Sequence, residues 1–242
     1  MEEFDYVIVG GGSAGCVLAN RLSKKHSVLL LEAGARDNYH WIHIPIGYLY
    51  CIGNPRTDWG FKTAAETGLN GRSLAYPRGK VLGGCSSING MLYLRGQSGD
   101  YDHWRQLGNP GWGWDDVLPY FKKSEDYFDG PSEAHSSGGE WRIEEQRSHW
   151  DILDHVQDAA VQAGIPKIDD FNTGDNKGVS YFKVNQKNGW RWNTSKGFIR
   201  PVKNRLTLKV ETEARAERIL FEGQRAIGVR YRHGGQTKTA HA

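Results

Sequence analysis

The first 32 residues set two apolar runs around one glycine-rich turn. Residues 4–9 (FDYVIV) are rich in β-branched side chains and predict a short buried strand. Residues 27–31 (SVLLL) predict a second strand, closed by Glu32. Between them Val17, Leu18, Ala19 and Leu22 share one side of a helix. The unit has the length of one βαβ crossover, about 30 residues. Residues 36–76 lose any period, with Pro45, Pro55 and several glycines interrupting them, and predict a lid-like excursion over the surface.

Further on, residues 100–121 predict helices joined by a Gly/Trp turn, and residues 130–139, rich in Gly, Ser and Pro, an exposed loop. The texture then changes. Residues 140–144 read as a strand, residues 150–163 as a helix with Trp150, Leu153, Val156 and Ala160 as its apolar positions, and residues 179–186 as another strand. Asn188-Gly189 is a hairpin turn, because both residues tolerate positive φ. Towards the end Leu206, Leu208 and Val210 alternate, as do Ile219 with Phe221 and Ile227 with Val229 and Tyr231. With turns at Gly223-Gln224 and Gly234-Gly235, they predict a three-stranded antiparallel meander.

Composition adds mostly exclusions. A net charge of +3 over 242 residues gives no clustered basic surface for nucleic acid or an anionic membrane. No apolar run reaches the length of a membrane span. Cys16, Cys51 and Cys85 stand at unrelated spacings, which suits neither a disulfide framework nor a zinc site. The first strand begins almost at once, so no signal peptide is expected and the cytoplasm is the expected compartment. His40 and His43 lack a third ligand, so no metal is expected.

The chemistry enters with Gly10-Gly11-Gly12-Ser13-Ala14-Gly15, which satisfies G-x-G-x-x-G. Gly10 permits the turn out of the strand, Gly12 admits a pyrophosphate to the backbone, and Gly15 lets helix and strand approach. The helix N-terminus that follows points its free N–H groups at the phosphates. Glu32 stands where a carboxylate meets ribose hydroxyls. The motif predicts dinucleotide binding and leaves NAD and FAD open.

Arg78-Gly79-Lys80-Val81-Leu82-Gly83-Gly84-Cys85-Ser86-Ser87-Ile88-Asn89-Gly90-Met91 resembles the first signature of the glucose–methanol–choline family, whose members bind FAD. The likeness continues through Tyr93, Arg95-Gly96 and Asp100-Tyr101-Asp102, and returns at Asp58-Trp59-Gly60-Phe61, Gly111-Trp112-Gly113-Trp114 and Gly189-Trp190-Arg191. It covers essentially the whole chain and is nearest the choline dehydrogenase-like and alcohol dehydrogenase branch.

The resemblance implies an α/β fold: a doubly wound, Rossmann-like FAD-binding domain with an inserted α+β substrate domain, incomplete at its C-terminus. The expected segments are 1–125 (with the excursion at 36–76), 126–200 for the substrate domain, and 201–242 for the return. It places FAD contacts on Gly10, Gly12, Ser13, Ala14 and Gly15 in the first loop, and on Glu32 and Ala33 after the second strand. In the second loop it places them on Gly83, Gly84, Ser86, Asn89, Gly90, Met91 and Leu92, and at the adenine on Ala216. Ile88 replaces the histidine of covalently flavinylated relatives, so FAD is expected to be noncovalent. Cys85 is expected to be a packed thiol.

The implied reaction is oxidation of a small-molecule alcohol, with a complementary C-terminal segment supplying the catalytic base. No catalytic residue is expected in this chain. A lyase or decarboxylase on the same scaffold, or an FAD-binding fragment without activity, are the alternatives.

Overall fold

The computed structural model describes residues 2–242. The chain forms two compact units, one made of residues 1–90 with 191–242 and one of residues 91–190.

The first unit is built on two sheets. A two-residue strand, β1 (Glu2–Glu3), is followed by β2 (Tyr6–Val9), helix α1 (Ser13–Leu22) and β3 (Val28–Leu31). β3 lies in the middle of a parallel sheet, with β2 on one side and the strand Leu208–Glu211 on the other. All four of its residues are buried, as a central parallel strand covered on both faces requires. Leu29 and Leu31 join Ala214, Val229, Tyr231 and Ala240 in one core cluster. Each such leucine contributes about 1.5–3 kcal/mol through burial. Cys16 and Ala19 on the buried side of α1 are wholly enclosed. Their small size lets the helix lie close to the sheet.

The second sheet is the antiparallel meander Arg215–Glu222, Arg225–His233 and Gln236–His241, to which β1 adds in parallel. The three strands expected from the alternating pattern are therefore displaced by one. Leu208 and Val210 lie in the parallel sheet beside β3. The third meander strand is Gln236–His241, whose polar sequence (QTKTAH) hides its β structure because mostly its backbone, not its side chains, is buried by pairing.

The second unit holds three helices, Ser98–Gln106, Trp114–Ser124 and Asp151–Gln162, with short paired strands between them. The first helix starts where Asp100 Oδ2 accepts the amide of Gln97 at 2.8 Å, and the second where Asp116 Oδ2 accepts that of Gly113 at 3.0 Å. Asn188 and Gly189 take φ of +54° and +79°, the turn geometry their sequence predicts. The interior is polar. Arg95 Nη2 donates to Glu125 Oε1 at 2.7 Å, and His135 bridges the same carboxylate (3.0 Å from Nδ1) to Asp170 (2.8 Å from Nε2).

The unit boundaries at 90/91 and 190/191 differ from the expected 125/126 and 200/201, for a visible reason. Buried Arg95 also bonds the carbonyls of Ala134 and Asn172, binding residues 91–125 to the second unit. At the other end Asn193 and Ser195 bond Asp37, and Asn20 bonds the carbonyl of Phe198, holding residues 191–200 in the first.

Candidate cofactor site

β2 ends at Gly10, which turns with φ +95° while its amide donates to the carbonyl of Leu31 at 2.7 Å. Only glycine makes that turn without strain. Gly12 then caps α1 in an extended conformation, with no side chain bonded to the helix terminus and no acid in the first turn. The first-turn amides are thus left for an acceptor from outside, at the positive end of the helix dipole.

A second glycine loop meets the first. The amide of Gly83 donates to the carbonyl of Gly11 at 2.7 Å, and a β-carbon on Gly84 would lie 2.7 Å from Gly12 Cα. The two backbones therefore approach so closely that no side chain fits on Gly84. Glu32, almost fully buried, ties this arrangement from below: Oε2 accepts the amide of Gly11 and Oε1 that of Gly34, each at 2.7 Å. Burial raises its pKa, against the lowering effect of those amide bonds.

Together these elements wall a cavity of about 600 Å³. Of the residues expected to hold a cofactor, Gly10, Gly12, Ser13, Glu32, Ala33, Gly84 and Ala216 line it. Ala14, which is exposed, and Gly15, which is buried, lie in the first turn of α1 and do not line the cavity. Ser86 does not line it: its hydroxyl donates to the carbonyl of Gly83 at 2.6 Å and lies 3.0 Å from Thr194 Oγ1, so it braces the loop. Asn89 and Gly90 are exposed, and the Asn89 side-chain oxygen accepts from Arg191. Met91 and Leu92 belong to the second unit, where Met91 is buried with φ +64° and Leu92 is half exposed.

The cavity also has walls to which the sequence reading gave no cofactor role. Trp59 and Phe61 stack at 5.7 Å, and Arg78 and Arg215 supply two guanidinium groups beside the single carboxylate of Glu32. Arg215 lies over the Trp59 ring at 5.9 Å. Trp59, Phe61 and Arg78 stand in stretches that carry the resemblance without a stated contact, and Arg215 is a lone arginine at a strand start, which carries no spacing rule. Cys85 is a correction: it is exposed and lines the cavity, whereas Cys16 and Cys51 are the packed thiols. Burial pushes the Cys16 thiol up to about 12.

An uncapped helix terminus, a cradle free of β-carbons, two cations and a flat aromatic pair suit a ligand with a diphosphate and a planar ring. FAD has both. No cluster of His, Cys, Asp or Glu able to hold a metal occurs among the described residues, and none of their helices is long and apolar enough to cross a membrane.

A family model described as GMC oxidoreductase matches residues 4–242. The chain is 44% identical over 232 residues to an alcohol dehydrogenase [acceptor] of Pseudomonas putida, covering 94% of this chain and 42% of that protein. It is 40% identical over 247 residues to an oxygen-dependent choline dehydrogenase of Vibrio vulnificus, covering all of this chain and 44% of that protein. Among solved structures, pyridoxine 4-oxidase from Mesorbium loti superposes with a TM-score of 0.94 at 31% identity, over 98% of this chain and 47% of that one. The chain thus spans less than half the length of the relatives it matches.

Proposed function

The chain belongs to the GMC oxidoreductase family, and on that premise we propose that it is the cofactor-binding half of an enzyme that oxidises an alcohol to an aldehyde or ketone. Bound FAD supplies a hydride acceptor at flavin N5. The observation that carries this reading is the uncapped terminus of α1 opening, beside two touching glycine loops, into the cavity.

In this reading the first-turn amides of α1 receive the diphosphate, and Arg78 and Arg215 balance its charge. Glu32 keeps Gly11 and Gly34 in place, and each of its oxygens retains acceptor capacity for a ribose hydroxyl. The same carboxylate is the only one lining the cavity, and it is already tied to two amides. The alcohol proton therefore goes to a base carried elsewhere in the protein.

Two surfaces support a complementary C-terminal segment. β2 is an edge strand with Tyr6 and Val9 about half exposed, an edge that invites pairing. In the second unit, helix Asp151–Gln162 turns Gln157 inward and leaves Ile152, Leu153 and Val156 exposed.

Noncovalent attachment is supported by Ile88, which stands where the resemblance puts the histidine of covalently flavinylated relatives and is packed against Ile42, Cys51 and Val81. The test has two parts. Acid precipitation of the purified yellow protein should leave FAD in the supernatant; colour kept by the precipitate would refute noncovalent binding. Anaerobic addition of a panel of primary and secondary alcohols to the intact protein, with its base-bearing segment, should bleach the flavin absorbance, and an intact protein that no alcohol bleaches is not an alcohol oxidoreductase.

A further inference from the structure

Arg191 is fully enclosed, with none of its surface reaching solvent. Its Nε donates to the carbonyl of Ile42 at 2.7 Å, and Nη1 donates both to the carbonyl of Ser86 at 3.1 Å and to Asn89 Oδ1 at 2.9 Å. Nη2 is buried and has no hydrogen-bond partner among the described residues. Every acceptor in this list is neutral. A full positive charge is therefore held in the interior without a carboxylate against it. Burial pushes the guanidinium pKa down to about 10, opposed only by Cys51, so the group stays ionised at neutral pH.

An unpaired buried ion is among the most costly features a fold can keep, and arginine does not escape by losing its proton. Strongly perturbed buried charges of this kind cluster at functional sites. The two acceptors that Nη1 holds, the Ser86 carbonyl and the Asn89 amide, lie on the loop whose members Gly84 and Cys85 wall the cofactor cavity. Nη1 also fixes the polarity of the Asn89 amide, with its oxygen towards the guanidinium and its NH₂ group turned away.

Hydride transfer adds negative charge to a flavin ring, and a fixed cation in a low-dielectric surrounding favours that change. We propose that Arg191 is a positioning residue for the flavin-binding loop and the buried cation that raises the reduction potential of the FAD held there. This rests on the cavity being the FAD site. The sequence marks Gly189-Trp190-Arg191 as part of the family resemblance but assigns Arg191 no role.

Sulfite offers a readout apart from turnover. Its sulfur lone pair adds to flavin N5, an N–S bond forms, and the ring becomes anionic with no oxidant or reductant consumed. Its affinity therefore reports the same stabilisation of negative charge. The FAD-loaded protein is compared with Arg191→Lys and Arg191→Gln. Lysine keeps the charge but loses the planar fork that reaches Ile42, Ser86 and Asn89 together. The expected result is a sulfite Kd within about threefold of the parent and an FAD Kd raised about tenfold.

Glutamine removes the charge as well, and its sulfite Kd should rise at least about tenfold. An unchanged sulfite Kd in Arg191→Gln overturns the proposal. Should that variant not fold, Arg191→Lys decides alone: an unchanged FAD Kd, or a sulfite Kd about tenfold higher, overturns it. A parent protein that retains no FAD would instead refute the functional reading, before any variant is made.

Discussion

The carbonyl oxygen of Gly10 occupies the place a side chain on Gly15 would need: a β-carbon there would lie 1.9 Å from it. Strand end and helix start are in backbone contact at this point. Gly12, three residues earlier, is different. A β-carbon on it would meet nothing closer than Gly84 Cα at 3.9 Å, and Gly12 itself lines the cavity.

The two positions should therefore separate folding from binding. Gly15→Ala forces Gly10 aside and is expected to destabilise the protein by about 3 kcal/mol. Gly12→Val should leave the unfolding midpoint of the FAD-free protein almost unchanged while abolishing FAD retention. Thermal unfolding with and without FAD, together with the flavin content of each purified variant, checks both. Normal flavin content in Gly12→Val would move the site elsewhere.

Glu32→Ala should weaken FAD binding by about 1.5–3 kcal/mol, the range for a hydrogen bond to a charged group. It should also lower stability without FAD, because the buried amides of Gly11 and Gly34 lose their acceptor. Glu32→Gln, with one acceptor oxygen left, is expected to fall between. Fluorescence titration of FAD and denaturant unfolding measure the two effects separately. An alanine variant as stable as the parent would mean the bridge between the loops contributes nothing.

Cys85 is the exposed thiol and lines the cavity, while Cys16 and Cys51 are buried. Brief treatment of FAD-free protein with iodoacetamide should label one cysteine, located by peptide mass at residue 85. Prior loading with FAD should slow that labelling. Equal rates with and without FAD would place the cofactor away from Cys85.

His135 sets a pH dependence for the second unit. Burial alone would lower its pKa, but hydrogen bonds to Asp170 and Glu125 outweigh it and hold the imidazolium above its ordinary value of 6.5. Asp170 and Glu125 are lowered in return, with His135 and, for Glu125, Arg95 opposing the effect of burial. Tyr127, whose hydroxyl donates to Asp170, is raised by burial and stays protonated. The histidine contribution is complete below the unfolded pKa and is lost as pH rises through the folded one. The carboxylate contribution is complete above roughly pH 4 and is lost on acidification. Stability of this unit should thus be highest between roughly pH 4 and 6.5. His135→Gln should flatten the decline above that window; a variant with the parental slope would show that the decline arises elsewhere.

Much of the first unit was legible in the sequence because its signals are local. Residues 4–32 carry apolar runs and glycines at fixed spacings, and strand, loop, helix and strand follow in that order. What escaped were features made by partners far apart in the chain. Leu208 and Val210 alternate as any half-buried strand does, and their pairing with Val28 and Leu30 leaves no mark at either place. Gln236–His241 is polar and becomes a strand through its pairing with Arg225–His233 and, at its end, with β1. At the site, glycines and Glu32 announced themselves through a spacing rule. Arg215 and the outward thiol of Cys85 are defined by the cavity they face, which no linear pattern encodes, and Trp59 stands in a stretch of the resemblance that does not say what it faces.

The pairing of β3 with Leu208–Glu211, and of β1 with Gln236–His241, also fixes an order of events during synthesis. On the ribosome, residues 1–32 emerge first but cannot complete either sheet until residues beyond 207 have followed. Residues 91–190 emerge whole in the interval and have their partners at hand. The inserted unit is thus free to fold while the earlier segment waits, its apolar β2 and β3 unpaired on at least one side throughout. Long-range closure of this kind is slow, and the waiting strands are open to misassociation. Slowing translation within residues 91–190 would lengthen that wait and lower the soluble yield, whereas a pause after residue 242 would not.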